Sequence, residues 1–121
     1  MQYSQMKKIL ESFDNPVDKL EAVMDFGNHL ENVPAGAKCT EIVGCASHVE
    51  ICVSGNNKLF ARADSGLVRG IVAILLAMVD GKSPAEIKNM DLYKEFSSLN
   101  LTLGAGRLTG LNSMISFLQN L

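Results

Sequence analysis

The sequence predicts an α+β fold: a small antiparallel sheet of about three strands packed against several helices. Three observations lead there. Apolar residues recur at helical spacing near both ends of the chain. Between Lys38 and Asp64 the hydrophobic period drops to that of a strand. Directly afterwards, Leu67 to Val79 is apolar nearly all round, with Arg69 as its only charge, which is the pattern of a central buried helix.

The elements follow in order. Met6, Ile9, Leu10 and Phe13 form one apolar stripe on a first helix. Asp14-Asn15-Pro16 interrupts it. Asn15 can cap a second helix with Pro16 at its first position, where a missing N–H costs nothing. Leu20, Val23, Met24 and Gly27 carry that helix to about Leu30, and the chain leaves it through Asn32 to Gly36. Lys38 to Val43 is a weaker strand candidate. Val49, Ile51 and Val53 alternate with His48, Glu50 and Cys52. Past the turn cluster Gly55-Asn56-Asn57, Leu59, Ala61 and Ala63 alternate with Phe60 and Arg62. Residues 47 to 63 therefore read as an antiparallel hairpin. Asp64-Ser65 caps the buried helix and Gly81 ends it. Ser83-Pro84-Ala85-Glu86 has the capping-box pattern of a short helix. Asp91 to Phe96 forms another, and Leu108, Leu111, Met114, Ile115 and Leu118 line a C-terminal one.

A chain of 121 residues is expected to form one domain, residues 1–121, with its own core. Hydrophobic residues make up 47% and charged residues 20%, with a formal charge of −2 and a pI of about 5.6. The charge balance argues against nucleic acid as a partner and lends no support to a membrane surface. The longest apolar run, Gly70 to Val79, falls well short of the ~20 residues of a membrane span. The first ten residues lack the apolar region of a secretion signal. Three cysteines cannot all pair within one chain and do not suggest a secreted disulfide scaffold. A cytoplasmic setting is expected.

Three features could carry chemistry. Gly44-Cys45 lies between two predicted strands, where Gly permits a tight turn and would leave Cys45 accessible at a loop tip. Local context also allows a buried cysteine that acts as a small hydrophobe. Leu103-Gly104-Ala105-Gly106-Arg107 places glycines before a helix, but it matches neither a phosphate-binding loop nor a dinucleotide fingerprint. It reads as a helix start with a solvated Arg107, or as a positive end that stabilises a nearby thiolate. The third is a metal set of Cys39, Cys45, Cys52, His48 and His29. Its cysteines lack the tight pairing of zinc sites, and no metal ligands are assigned. With two histidines, His29 and His48, no Ser–His–acid arrangement can be identified.

Several segments match, in order, the pattern of SufE-type sulfur acceptors of iron–sulfur cluster assembly. Val43-Gly44-Cys45-Ala46-Ser47-His48-Val49 is similar to the family's Gly-Cys-x-Ser-x-Val motif and is the most specific match. Phe26 to Leu30 followed by Pro34 resembles its Gly-x-x-Leu-Pro stretch. Ala63-Asp64-Ser65 with Val68-Arg69-Gly70-Ile71 resembles its Asp-Ser…Val-Arg/Lys-Gly segment. Arg107-Leu108-Thr109-Gly110-Leu111 resembles its Arg-x-x-Gly-Leu signature. The matches span about residues 17 to 118.

The resemblance implies a SufE/IscU-like fold and a relay role without a cofactor on this chain. Cys45 would accept persulfide sulfur from a pyridoxal-phosphate cysteine desulfurase of the SufS/CsdA kind. It would stimulate that enzyme by unloading it and pass the sulfur to a SufBCD-like scaffold. Arg107 matches the family arginine near the site, Gly44 and Ser47 match the cysteine loop, and Asp64 belongs to the Asp-Ser segment. The protein would act as an accessory carrier rather than a free-standing enzyme, as a monomer or weak homodimer. The sequence departs from the family at Glu50, where an aromatic residue is usual, and at Ala105-Gly106, where Pro-Ser precedes the arginine. Two alternatives remain at this level. One is an IscU-like metal or cluster scaffold, which needs several converging ligands. The other is a thiol redox enzyme, which needs Cys39 or Cys52 as a resolving partner for Cys45.

Overall fold

The computed structural model describes residues 1–45 and 47–121. Among the described residues, six α-helices and a three-stranded antiparallel sheet make up the α+β fold. Helix α1 spans Tyr3–Glu11 and α2 Pro16–Phe26. The strands are β1 (Lys38–Glu41), β2 (Val49–Val53) and β3 (Leu59–Ala63), in the order β1-β2-β3. Then come α3 (Gly66–Val79), α4 (Pro84–Lys88), α5 (Leu92–Ser97) and α6 (Ala105–Gln119).

Local chemistry sets most of the boundaries. Asn15 Oδ1 accepts from Val17 N at 2.8 Å, and Pro16 opens α2 as expected. Ser65 caps α3 through Val68 N, and Ser83 and Glu86 exchange hydrogen bonds of 3.2 and 3.0 Å to start α4. Other boundaries differ from expectation. Helix α1 stops at Glu11, so Phe13 lies beyond it at the surface, and β1 stops at Glu41, short of Val43. Helix α2 stops at Phe26, and Gly27–His29 tightens into a 3₁₀ turn. A Cβ on Gly27 would approach Arg69 Cβ to 2.9 Å, so this turn lies against α3. Helix α6 begins at Ala105, which places Gly106 and Arg107 inside its first turn instead of before it.

Helix α3 is the centre of the molecule. Val72, Ile74 and Leu75 have no exposed surface, and Ile71 has 1%. Each such side chain contributes about 1.5–3 kcal/mol of hydrophobic stabilisation. Arg69, its one charge, escapes the core by donating from Nη2 to Gly27 O at 3.3 Å. Gly70 lets α2 and α3 touch backbone to backbone, since a Cβ there would fall 1.9 Å from Val23 O.

The sheet register decides which residues share a face. Cys39 pairs with Cys52 and Glu41 with Glu50, while on β3 Arg62 faces Glu50 and Phe60 faces Cys52. Val49 and Ile51 point into the core with no exposed surface. The alternate positions, Cys39, Glu41, Glu50, Cys52 and Arg62, lie on the other face. Among the described residues, no helix is long and apolar enough to cross a membrane.

Candidate functional site

The site is the segment joining β1 to β2. Its ends are tied where Ile42 N donates to Val49 O at 2.9 Å, and both side chains are buried. Between these anchors the chain must reverse while leaving the sheet. Gly44 makes this possible with φ of 94°, in a region closed to most side chains. A Cβ at Gly44 would also meet Ser113 Oγ on α6 at 2.9 Å. Val43, before it, is 82% exposed.

Cys45 is the free cysteine and is half-buried. Its thiol lies against α6 instead of standing free in solvent, whereas Val43 is the exposed side chain at the start of the loop. Gly110 provides the seat: a Cβ there would come within 2.8 Å of Cys45 Sγ. Burial pushes the Cys45 thiol up from its ordinary value, because desolvation disfavours the thiolate. Gly110 belongs to the second turn of α6, and the field of a helix N-terminus fades within the first turn. The helix therefore offers the sulfur a surface more than a positive end.

The other sequence-selected residues fall in the same loop, at the end of β3 and in the first turn of α6. Ser47 follows in the loop, and its Oγ is buried without a hydrogen-bond partner among the described residues. Ala46, the variable position of the motif, lies outside the described residues. Asp64 is exposed at the end of β3, where its N–H donates to His48 O at 3.2 Å. Arg107 is exposed in the first turn of α6, one turn ahead of Gly110 and on the same side of the helix. Among the described residues its guanidinium makes no hydrogen bond or ion pair. The structure thus brings Gly44, Ser47 and Cys45 together and leaves Arg107 at the rim.

Sequence reasoning passed over Gly110 and Ser113 as contacts of the loop. The Arg-x-x-Gly-Leu spacing contained the signal, since a glycine inside a helix needs a packing reason.

The remaining cysteines behave as a pair. Cys39 and Cys52 form a disulfide across β1 and β2. The bond joins neither of them to Cys45, so the resolving-cysteine arrangement of a redox enzyme is not present in this state. Of the five-residue metal set, Cys39 and Cys52 are brought together, and Glu50 joins them. His48 lies beside that group, held between Glu41 at 3.5 Å and Glu50 at 3.2 Å. These carboxylates, the Glu50 hydrogen bond foremost, raise its pKa.

Fold and site together define a small α+β thiol protein whose free cysteine sits on a strand-connecting loop against a helix. The chain belongs to the SufE family, whose Fe-S metabolism associated domain matches residues 4–121. It is 31% identical to the sulfur acceptor protein CsdE of Escherichia coli (strain K12), covering 80% of this chain and 71% of that protein. It is 30% identical to an uncharacterised SufE-like protein of Rhizobium meliloti (strain 1021), covering 91% of this chain and 89% of the relative. The solution structure of a hypothetical protein from Thermus thermophilus superposes with a TM-score of 0.68 at 15% identity, covering 98% of this chain and 90% of the other, and supports the fold.

Proposed function

We propose that this protein is a sulfur acceptor in which Cys45 takes sulfane sulfur from a cysteine desulfurase persulfide. The observation that carries the reading is the seat itself: the one free thiol among the described residues lies in the family motif, against a glycine that leaves room for sulfur. The similarity to a named sulfur acceptor supports the same role.

The chemistry parallels thiol–disulfide exchange. Cys45 loses its proton to solvent or to a base on the partner, and its thiolate attacks the terminal sulfur of the donor persulfide. A new S–S bond forms on Cys45, and the donor cysteine leaves as a thiolate. Seated at rest, the thiol is pushed further toward its protonated form by burial, which lowers its exposure to adventitious oxidation. Docking frees the loop from α6, and the sulfur then meets a wetter and more polar setting. Arg107, one turn from Gly110 and with its guanidinium unengaged among the described residues, pairs with the persulfide anion. Ser47, whose hydroxyl lacks a partner among the described residues, donates to the same anion.

Uptake by Cys45 stimulates the desulfurase by clearing its persulfide, and a SufBCD-like scaffold receives the sulfur. The protein works in the cytoplasm as a single domain, as a monomer or weak homodimer, and needs no cofactor for the transfer. The test mixes the protein with a cysteine desulfurase, cysteine and pyridoxal phosphate, then reads intact mass and desulfurase turnover. Wild type gains the mass of a sulfur atom and accelerates turnover, and Cys45→Ser does neither. Full stimulation by Cys45→Ser would overturn the reading.

A further inference from the structure

The outer face of the sheet carries chemistry that sulfur acceptance does not use. Cys39 and Cys52 oppose each other there, and Glu50 lies two residues before Cys52 on the same side. Each of the three offers one ligand atom, and these atoms all lie within 4.8 Å of one another. We propose that, once the Cys39–Cys52 disulfide is reduced, the two cysteine sulfurs and the Glu50 carboxylate bind one Zn²⁺ ion. The β1–β2 hairpin would then hold either a disulfide or a metal.

The geometry suits the ion. Zinc sits about 2.3 Å from sulfur and about 2.0–2.2 Å from oxygen, so tetrahedral ligands stand roughly 3.5–3.8 Å apart. Ligand atoms already within 4.8 Å need only modest side-chain rotation to reach those separations. The register keeps the sulfurs adjacent when the bond between them is gone. Ile42 N bonds to Val49 O, and hydrogen-bonded pairs alternate along an antiparallel ladder. Counting along the register from that pair, Cys39 and Cys52 fall at a non-hydrogen-bonded position, where side chains approach most closely. Cys52 is fully buried and Cys39 half-buried on the edge strand, so the site is dry on one side and open on the other. Three protein ligands leave the fourth zinc position to water. Two sulfur ligands select zinc over magnesium or calcium.

Neighbouring groups orient the ligands. His48 Nε2 lies 3.2 Å from Glu50 Oε1, and Arg62 Nε 3.6 Å from Glu50 Oε2, fixing the carboxylate as outer-shell partners do. Arg62 Nη2 lies 3.6 Å from Cys39 Sγ and favours its thiolate once the bond is open. A reductant of the dithiol class opens the bond. It delivers two electrons and two protons to the S–S bond, leaves two thiols on this chain and becomes a disulfide itself. Zinc then displaces both thiol protons, and no further electrons move.

The test is calorimetric titration of the full chain with Zn²⁺ without oxygen, after reduction by a phosphine, against the oxidised protein. Reduced wild type should take up about one equivalent and oxidised wild type none. Cys45→Ser should bind like wild type, which separates this site from the acceptor thiol. The double variant Cys39→Ser/Cys52→Ser should lose binding. Glu50→Gln keeps both thiols and the size of a partly exposed side chain, and circular dichroism checks that it folds as wild type does. It should bind at least about tenfold more weakly. The proposal fails if reduced wild type binds no more zinc than the double variant, if Cys45→Ser abolishes binding, or if Glu50→Gln binds as tightly as wild type.

Discussion

Cys45 Sγ rests on Gly110 so closely that a Cβ at position 110 would stand 2.8 Å from the sulfur and 3.4 Å from Cys45 Cα. The missing side chain of Gly110 is therefore part of the cysteine site, although it lies 65 residues away in the chain. The contact explains why the loop can tuck a thiol against a helix and why that thiol loses solvent.

Gly110→Ala should unseat the loop. The added methyl cannot coexist with Cys45 in its present place, so the loop must lift while α6 stays helical. Alanine favours the helix by about 1 kcal/mol over glycine, while overpacking costs about 1–3 kcal/mol. The expected net effect is a small loss of stability together with faster alkylation of Cys45 by iodoacetamide. Unchanged alkylation would mean that Gly110 does not seat the sulfur.

The raised pKa of Cys45 predicts a pH signature. Only the thiolate reacts, so folded protein should be alkylated more slowly at neutral pH than protein unfolded in urea. The gap should narrow as pH rises past the ordinary thiol value of about 8.5. Linkage has the matching sign. A folded pKa above the unfolded one gives a contribution to stability that is fully present below the unfolded pKa and is lost as pH rises through the folded pKa. Equal alkylation rates for folded and unfolded chain across this range would refute a buried resting thiol.

Much of this architecture was legible in the sequence, because short-range physics sets it. The caps at Asn15, Ser65 and Ser83, the alternation in β2 and the all-apolar stretch of α3 each act within a few residues. The family motif around Cys45 was legible in the same way. The relations across the chain were not. Cys39 and Cys52 meet only because β1 and β2 pair in one particular register, and a slip of one residue would put them on opposite faces. The contact of Cys45 with α6 depends on where that helix docks, which no local pattern encodes. Glu50 stood out in sequence only as a departure from the family. Its position beside two sulfurs becomes visible when the outer face is assembled.

Gly70→Ala tests the packing beneath the site. Its Cβ would lie 1.9 Å from the carbonyl oxygen of Val23, a backbone atom that cannot rotate away. Helices α2 and α3 must separate, which should cost about 3 kcal/mol or more. Urea denaturation followed by circular dichroism measures it. A loss below about 0.5 kcal/mol, the size of an ordinary surface change, would contradict the close helix crossing.

Glu95 ties α1 to α5 and predicts an acid-sensitive contribution. Its Oε2 accepts from Tyr3 Oη at 2.7 Å and from Lys7 Nζ at 3.0 Å. The Tyr3 hydrogen bond first, then that from Lys7, lowers the Glu95 pKa. A depressed carboxylate contributes stability above its unfolded pKa, and that contribution is lost as pH falls through the folded value. Tyr3→Phe should therefore cost about 1 kcal/mol at neutral pH, a modest figure because the carboxylate is 40% exposed. The difference from wild type should shrink as pH falls below the ordinary carboxylate range. A cost that stays the same at neutral and acid pH would show that Tyr3 acts through packing alone.

Arg107→Ala distinguishes a solvated charge from a working one. Arg107 is exposed and unpaired among the described residues, one turn ahead of the Gly110 seat. Removing it should leave stability within about 0.5 kcal/mol of wild type. If its guanidinium pairs with the persulfide anion during transfer, one charge-assisted hydrogen bond of about 1.5–3 kcal/mol is lost. Sulfur uptake should then slow by at least about tenfold, while alkylation of resting Cys45 stays unchanged because the seated thiol does not feel that charge. Arg107→Lys keeps the charge without the planar fork and should recover part of the rate. Rapid-quench sampling of Cys45 persulfide by intact mass measures all three proteins. Uptake by Arg107→Ala at the wild-type rate would leave Arg107 as a solvated surface charge.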